Sequence, residues 1–368
     1  MIKRILKWTV GLILLGLFVW FQYAYWTSTN ECDRKTEPTT PVKAIVYCDY
    51  GVANLKLADI EKPVPNDDQI LVKVRAVSVN PYDWHFVEGT PKLMRAMIGG
   101  LRKPKNIRLG VDFAGTVEAV GKNVTQYKPG DDVFGGGDGA FAQYLCRRAV
   151  GSVAPKPADL TFEQAASINI AGITALQGVR DKGKVQAGQK VLINGASGGV
   201  GTFAVQIAKN MGAEVTGVCS TRNVDLVKSL GADHVIDYTK EDFTKGDQKY
   251  DVIIDNVANR TLSENRHVLT PNGIYVLIGG GGVNDQGFFG ALKLPLKAFV
   301  YSKFVNQKMG MMMAQPSTQD LTLLAEMVQS GKLKPVVDRT YQSLSEVPDA
   351  IRYLEEGHAR GKVIITVD

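Results

Sequence analysis

"KVLINGASGGVGTFAVQIAK" occupies residues 190–209. It opens with a short apolar run, passes through a glycine-rich elbow and continues with a helical apolar period. Ala196-x-Gly198-x-x-Gly201 approximates the G-x-G-x-x-G fingerprint, and it stands where that fingerprint carries weight, after a strand and at the start of a helix. Small residues there let the backbone approach a pyrophosphate, while the helix start offers unpaired N–H groups and positive potential. Ala196 takes the place of the first glycine. The stretch reads as a dinucleotide cradle rather than a plain turn.

The next strand separates the two common dinucleotides. A site for the unphosphorylated form places an acid about 20 residues on, to accept from the ribose 2′-hydroxyl. Here "VCSTRN", residues 218–223, holds no acid. Ser220 is suited to donate to a 2′-phosphate and Arg222 to neutralise it. The expected cofactor is therefore NADPH.

Working outward, strands and helices alternate: "EVTGVC" precedes "VDLVKSL", and "YDVIIDNV" precedes "RTLSENRHVL". Apolar strands alternating with helices imply a parallel sheet covered on both faces. Upstream, "VKAIVYCDY", "QILVKVRAVSVNP" and "VDFAGTVEAVG" show the β-branched alternation of a strand-rich unit, and "KVIITV" resumes it near the end. The expected fold class is α/β. A Rossmann doubly wound sheet over residues 161–310 is inserted in a β-rich domain built from residues 42–160 and 311–368.

With 368 residues the chain has room for two cores. A net charge of +6 without a basic run excludes a nucleic-acid tail. Cys32, Cys48, Cys146 and Cys219 show no metal-ligand spacing and read as scattered reduced thiols, and no metal is expected.

The N-terminus differs. Lys3, Arg4 and Lys7 precede an uncharged stretch over residues 8–26. As a helix rising about 1.5 Å per residue, this stretch just crosses a bilayer core of about 30 Å. Trp8 on one side and Tyr23, Tyr25 and Trp26 on the other suit the two interfaces. Residues 1–26 read as a single-pass membrane anchor and residues 27–41 as a polar linker. The flanking charge favours an exported body, whereas supply of a nicotinamide cofactor favours the cytoplasmic face, which is the expected placement.

Together "GVDFAGTVEAVG", "PGDDVFG", "AGITALQ", "NGASGGVGTFAVQIAK", "LGADHVIDY" and "GKVIITV" resemble the successive landmarks of the medium-chain dehydrogenase/reductase superfamily, over residues 42–368. The resemblance implies a GroES-like β-domain, a Rossmann domain and an active site between them. Zinc-dependent members carry a cysteine ligand and a Gly-His-Glu motif where this chain has Asn80 and Asp112. The chain looks like the zinc-free quinone-oxidoreductase branch, including the reticulon-interacting-protein group.

That branch implies hydride transfer from NADPH to a quinone or an α,β-unsaturated carbonyl. Asn80 is then expected beside the nicotinamide and the reacting carbonyl. His85 stands where relatives often have tyrosine or lysine, as a hydrogen-bond or proton donor, with a packing histidine as the alternative. Thr174 is expected near the nicotinamide ribose, and Ser197, Gly198, Gly199, Val200 and Gly201 at the pyrophosphate. Ser220, Arg222 and Tyr238 would surround the 2′-phosphate, with Asn256, Ile278, Gly279 and Gly280 along the nicotinamide half. Asp83 is expected to fix a local turn.

Two basic, apolar insertions, residues 90–108 and 287–314, pack at a homodimer contact or lie on the membrane and admit a lipophilic substrate. The alternatives to a quinone or enone reductase are a non-catalytic NADPH sensor or membrane partner, and an NADP-linked zinc-free alcohol dehydrogenase.

Overall fold

The computed structural model describes residues 15–16, 19–20, 22–23, 25–26, 29–33, 37–90, 95, 100–279, 290–302 and 304–368. The strand-rich part opens with the hairpin β1 (Pro41–Tyr47) and β2 (Leu55–Glu61), then β3 (Gln69–Val79) and the short helix α1 (Pro81–Glu88). It continues through β4 (Asp112–Val120), β5 (Asp132–Gly136), β6 (Tyr144–Arg148) and β7 (Val153–Pro155). Two helices, α2 (Phe162–Ala166) and α3 (Asn169–Leu176), lead into β8 (Lys190–Asn194). From there the chain alternates through α4 (Gly199–Asn210), β9 (Glu214–Cys219), α5 (Val224–Ser229), β10 (His234–Asp237), β11 (Tyr250–Asp255), α6 (Leu262–His267) and β12 (Leu269–Leu277). The remaining elements are α7 (Gly290–Tyr301), β13 (Lys308–Met311), α8 (Thr318–Gln329), β14 (Val337–Tyr341), α9 (Val347–Glu355) and β15 (Lys362–Thr366).

The nucleotide-type sheet runs β10-β9-β8-β11-β12-β13, and all five of its strand pairs are parallel. Four of the five residues of β8 and five of the six of β11 are buried, as expected for strands covered on both faces. The second sheet runs β14-β15-β3-β4-β5-β7, with β6 beside β3. It is antiparallel except for the β14–β15 pair. The α/β class and the inserted sheet are as expected. The unit boundary differs, because residue 310 falls inside β13, and α8 still packs on the nucleotide side with Leu324 against Gly172 of α3. The chain rejoins the second sheet only at β14.

One apolar cluster bridges the two units. Ala76, Ala114, Phe134 and Ile364 of the mixed sheet pack together with Val191, Ile193 and Phe203 of the nucleotide unit. This shared core presses the end of β3 and the starts of β4 and β15 against the start of α4, and so sets the position of the cleft.

The cysteines depart from expectation. Cys32 and Cys48 form a disulfide, with Cα atoms 5.8 Å apart, while Cys146 and Cys219 are free. Dispersed cysteines give no spacing signal; the pair meets because the linker folds back onto the end of β1. Asn30, itself buried, donates its Nδ2 to the Cys48 carbonyl at 2.8 Å, and Lys103 pairs with Asp33 at 2.6 Å. Most of the expected anchor lies outside the described residues. Among the described residues no helix is long and apolar enough to cross a membrane.

Candidate active site

The elbow after β8 turns on Gly195, at φ 77°, where a Cβ would meet Val257 at 2.8 Å. Ala196 is fully buried and gives its N–H to the Val218 carbonyl. The first glycine of the fingerprint is therefore Gly195, one residue before the position expected from the sequence. Gly198 caps α4, and a Cβ on Gly201 would sit 2.0 Å from the Gly195 carbonyl oxygen. The amides of Gly199, Val200 and Gly201 open the helix, where they have no partner along its axis.

Beyond β9, Ser220 caps a short 3-10 turn that carries Arg222. Arg222 is exposed and donates to the His358 carbonyl, and Tyr238 is 49% exposed. Sequence reading missed Asn223. It is buried and donates to Ser197 Oγ at 2.9 Å and Ser220 Oγ at 3.2 Å, while its Oδ1 has no partner. The nearby acid, Asp237, is already engaged by Thr221 at 2.6 Å, Thr239 and Lys240. Those partners, the Thr221 hydroxyl first, hold its carboxyl well below the ordinary range.

Asp255, fully buried, organises the loop after β11. It accepts from Asn194 Nδ2, from the Val257 and Ala258 amides and from the Tyr275 hydroxyl. This presents Asn256, whose Nδ2 bonds the Asn194 carbonyl at 2.9 Å and whose buried Oδ1 is unpartnered. Ile278 and Gly279 follow β12 alongside, and a Cβ on Gly279 would lie 2.0 Å from the Asn256 carbonyl oxygen. Gly280 lies outside the described residues. Thr174 is buried on α3.

Asn80 caps α1, and Asp83 accepts its amide at 2.8 Å together with that of Gly110 at 3.1 Å, so Asp83 fixes the turn as expected. Complete burial pushes the Asp83 carboxyl up to about 7, its two N–H donors acting in the opposite direction. His85 packs against Trp84, with ring centroids 4.3 Å apart and the planes tilted by 44°, and its buried Nδ1 has no partner. Burial lowers its pKa, which favours the neutral ring.

The largest departure from expectation is Lys362, missed as a functional residue although it stands in "GKVIITV". It is 4% exposed, and its Nζ lies 2.5 Å from Asn80 Oδ1 and 3.1 Å from Asp112 Oδ2. Asp112 also accepts from Ser78 at 2.7 Å, Asn80 Nδ2 at 2.9 Å, Asn169 Nδ2 at 2.8 Å and the Ile170 amide at 3.1 Å. Asn80 is 2% exposed, and its Nδ2 donates inward to Ser78 O and Asp112. Its amide is thus committed to the protein rather than aimed at the cleft.

Two unpartnered buried acceptors, Asn223 Oδ1 and Asn256 Oδ1, flank a helix start where Gly195 and Gly201 leave no room for a Cβ, and this fits a dinucleotide lying across the elbow. Zinc does not fit between Asn80 and Asp112, because an ammonium already holds both. Among the described residues no three His, Cys, Asp or Glu side chains gather as a metal site.

Two family profiles match the chain: an alcohol dehydrogenase GroES-like domain over residues 66–158, and a zinc-binding dehydrogenase domain over residues 230–365. A trans-enoyl reductase of Aspergillus terreus is 36% identical, over 86% of this chain and 92% of its own length. A mitochondrial NAD(P)H oxidoreductase of Homo sapiens is 33% identical, over 92% and 93%. The solved quinone oxidoreductase from Coxiella burnetii superposes with a TM-score of 0.77 at 31% identity, covering 89% of this chain and 100% of that one. The chain uses a nicotinamide cofactor as an oxidoreductase and belongs to the medium-chain dehydrogenase/reductase superfamily, in its zinc-free, quinone-oxidoreductase-like branch.

Proposed function

We propose that this protein is a membrane-anchored, zinc-independent reductase that uses NADPH to reduce quinones or α,β-unsaturated carbonyls. One observation carries the reading: an ammonium, that of Lys362, stands between the residues that replace metal ligands. The curated relatives named as enoyl and quinone reductases support the same chemistry.

NADPH, when bound, supplies the hydride. The chain's own residues orient it and exclude water. The amides at the start of α4 face the pyrophosphate, and Ser220, Arg222 and Tyr238 take the 2′-phosphate, with the nearby Asp237 carboxylate screened by its own partners. Asn256 and Thr174 hold the nicotinamide half. On α1, Tyr82 stacks on Phe86 with ring centroids 4.1 Å apart, and Tyr82 is 38% exposed, a flat apolar wall suited to a planar acceptor. His85, neutral at pH 7, is the hydrogen-bond donor toward the acceptor oxygen. Oxidation of NADPH by purified protein with a panel of quinones and enones tests this. Turnover is expected, and tight NADPH binding without turnover on any acceptor would favour the sensor.

The anchor rests on the sequence of residues 8–26. Exposed Leu296, Phe299, Phe304 and Met313 support a body that lies against the bilayer. The Cys32–Cys48 disulfide agrees with the charge ahead of the span, and together they favour an oxidising compartment over the cytoplasmic face. Alkylation in intact cells should leave Cys32 and Cys48 unlabelled until reductant is added. Immediate labelling of both would return the body to the cytosol.

A further inference from the structure

Lys362 links α1, β4, α3 and the nucleotide elbow. Through Asn80 it reaches the start of α1, and through Asp112 it reaches β4. Asp112 in turn holds Asn169 and Ile170, the first two residues of α3, the helix that carries Thr174. The backbone beside it completes the connection: the Gly361 amide donates to the Ser197 carbonyl at 2.9 Å, and a Cβ on Gly199 would meet Lys362 Cδ at 3.1 Å. The two acids nearby are Asp112 on β4 and Asp83 on α1, and both feel the Lys362 charge.

Burying such a pair is a poor way to gain stability, since apolar residues of similar volume often do as well or better. What the pair does accomplish is geometric. A donor at Asn80 Oδ1 and a carboxylate at Asn80 Nδ2 allow only one orientation of that amide. We propose that Lys362 is the positioning residue of this centre: its buried ammonium stands in for the catalytic metal of zinc-dependent relatives by locking Asn80 and Asp112, and so fixes α1 against the nucleotide elbow. The consequence for turnover rests on the reductase reading, whereas the consequence for α1 does not.

Two variants separate positioning from simple charge balance. Lys362→Met leaves Asp112 buried without its counter-ion, and the melting midpoint should fall by about 10 °C. Lys362→Met/Asp112→Asn removes both charges and should melt within about 3 °C of wild type. Both variants should nevertheless show at least about tenfold faster hydrogen exchange at the start of α1, because Asn80 loses its fixed orientation. With menadione as acceptor, the double variant should lose about 30-fold in kcat, with KM and the Kd for NADPH changed less than about threefold. Wild-type exchange in α1 for the double variant would overturn the proposal, as would wild-type kcat. A double variant as unstable as the single one would also overturn it, since packing rather than charge would then be at fault. If wild-type protein reduces no acceptor, the function reading fails while melting and exchange still decide the role of Lys362.

Discussion

The two halves of the cleft handle their polar atoms in opposite ways. On the nucleotide side, buried acceptors on Asn223 and Asn256 are left open, and α4 begins with amides that have no helical partner. On the catalytic side, Ser78, Asn80, Asp112, Asn169 and Lys362 bond one another. Unsatisfied buried groups are costly unless something arrives to satisfy them, so the open half is shaped for a ligand. Apart from the open Nδ1 of His85 on α1, the closed half is scaffold, and it contributes shape and charge rather than free valences.

The sharpest way to break the contrast is to fill the elbow. Gly201→Val forces a side chain into the Gly195 carbonyl, so NADPH affinity should fall by at least about 1,000-fold in a fluorescence titration, with stability down by about 3 kcal/mol or more. Retained binding would mean that the dinucleotide lies elsewhere. Next in size, Asp112→Ala strands the Lys362 ammonium and should cost about 3–5 kcal/mol in denaturant unfolding. A cost below about 1 kcal/mol would show that the closed half is wetter than its geometry implies.

Arg222→Ala sharpens the open half without disturbing the closed one. Loss of a charged hydrogen bond of about 1.5–3 kcal/mol should weaken NADPH by about 10–100-fold and leave NADH unchanged. Equal weakening of both would remove Arg222 from the 2′-phosphate. The smallest effect concerns His85. Its folded pKa lies below the ordinary value near 6.5, so the unfolded chain binds the proton first. Its contribution to stability is therefore present above about pH 6.5 and is lost as pH falls through the folded value. In His85→Gln the acid-side decline of the melting midpoint should be shallower than in wild type; parallel curves would mean that the ring is solvated.

The same contrast explains what was legible beforehand. Strand, elbow and helix are contiguous, so the cradle and the parallel sheet could be read from residues 190–209, although Gly195 rather than Ala196 makes the turn. The substitution of Asn80 and Asp112 for metal ligands was also visible. Lys362 was not, because its partners lie 282 and 250 residues away and only the closing of β15 onto β3 brings them together. Asn223 escaped notice because an asparagine in a turn carries no signal until Ser197 and Ser220 are seen on either side of it. The Cys32–Cys48 bond, across only 16 residues, was hidden because the spacing carries no signal until the linker folds back onto the end of β1.

The proposed chemistry is reduction by NADPH without a metal. Its most direct test is the rate of NADPH oxidation with a short-chain quinone, measured on the purified protein before and after exhaustive chelation. The same rate is expected in both samples. Activity that vanishes on chelation and returns with added zinc would contradict it.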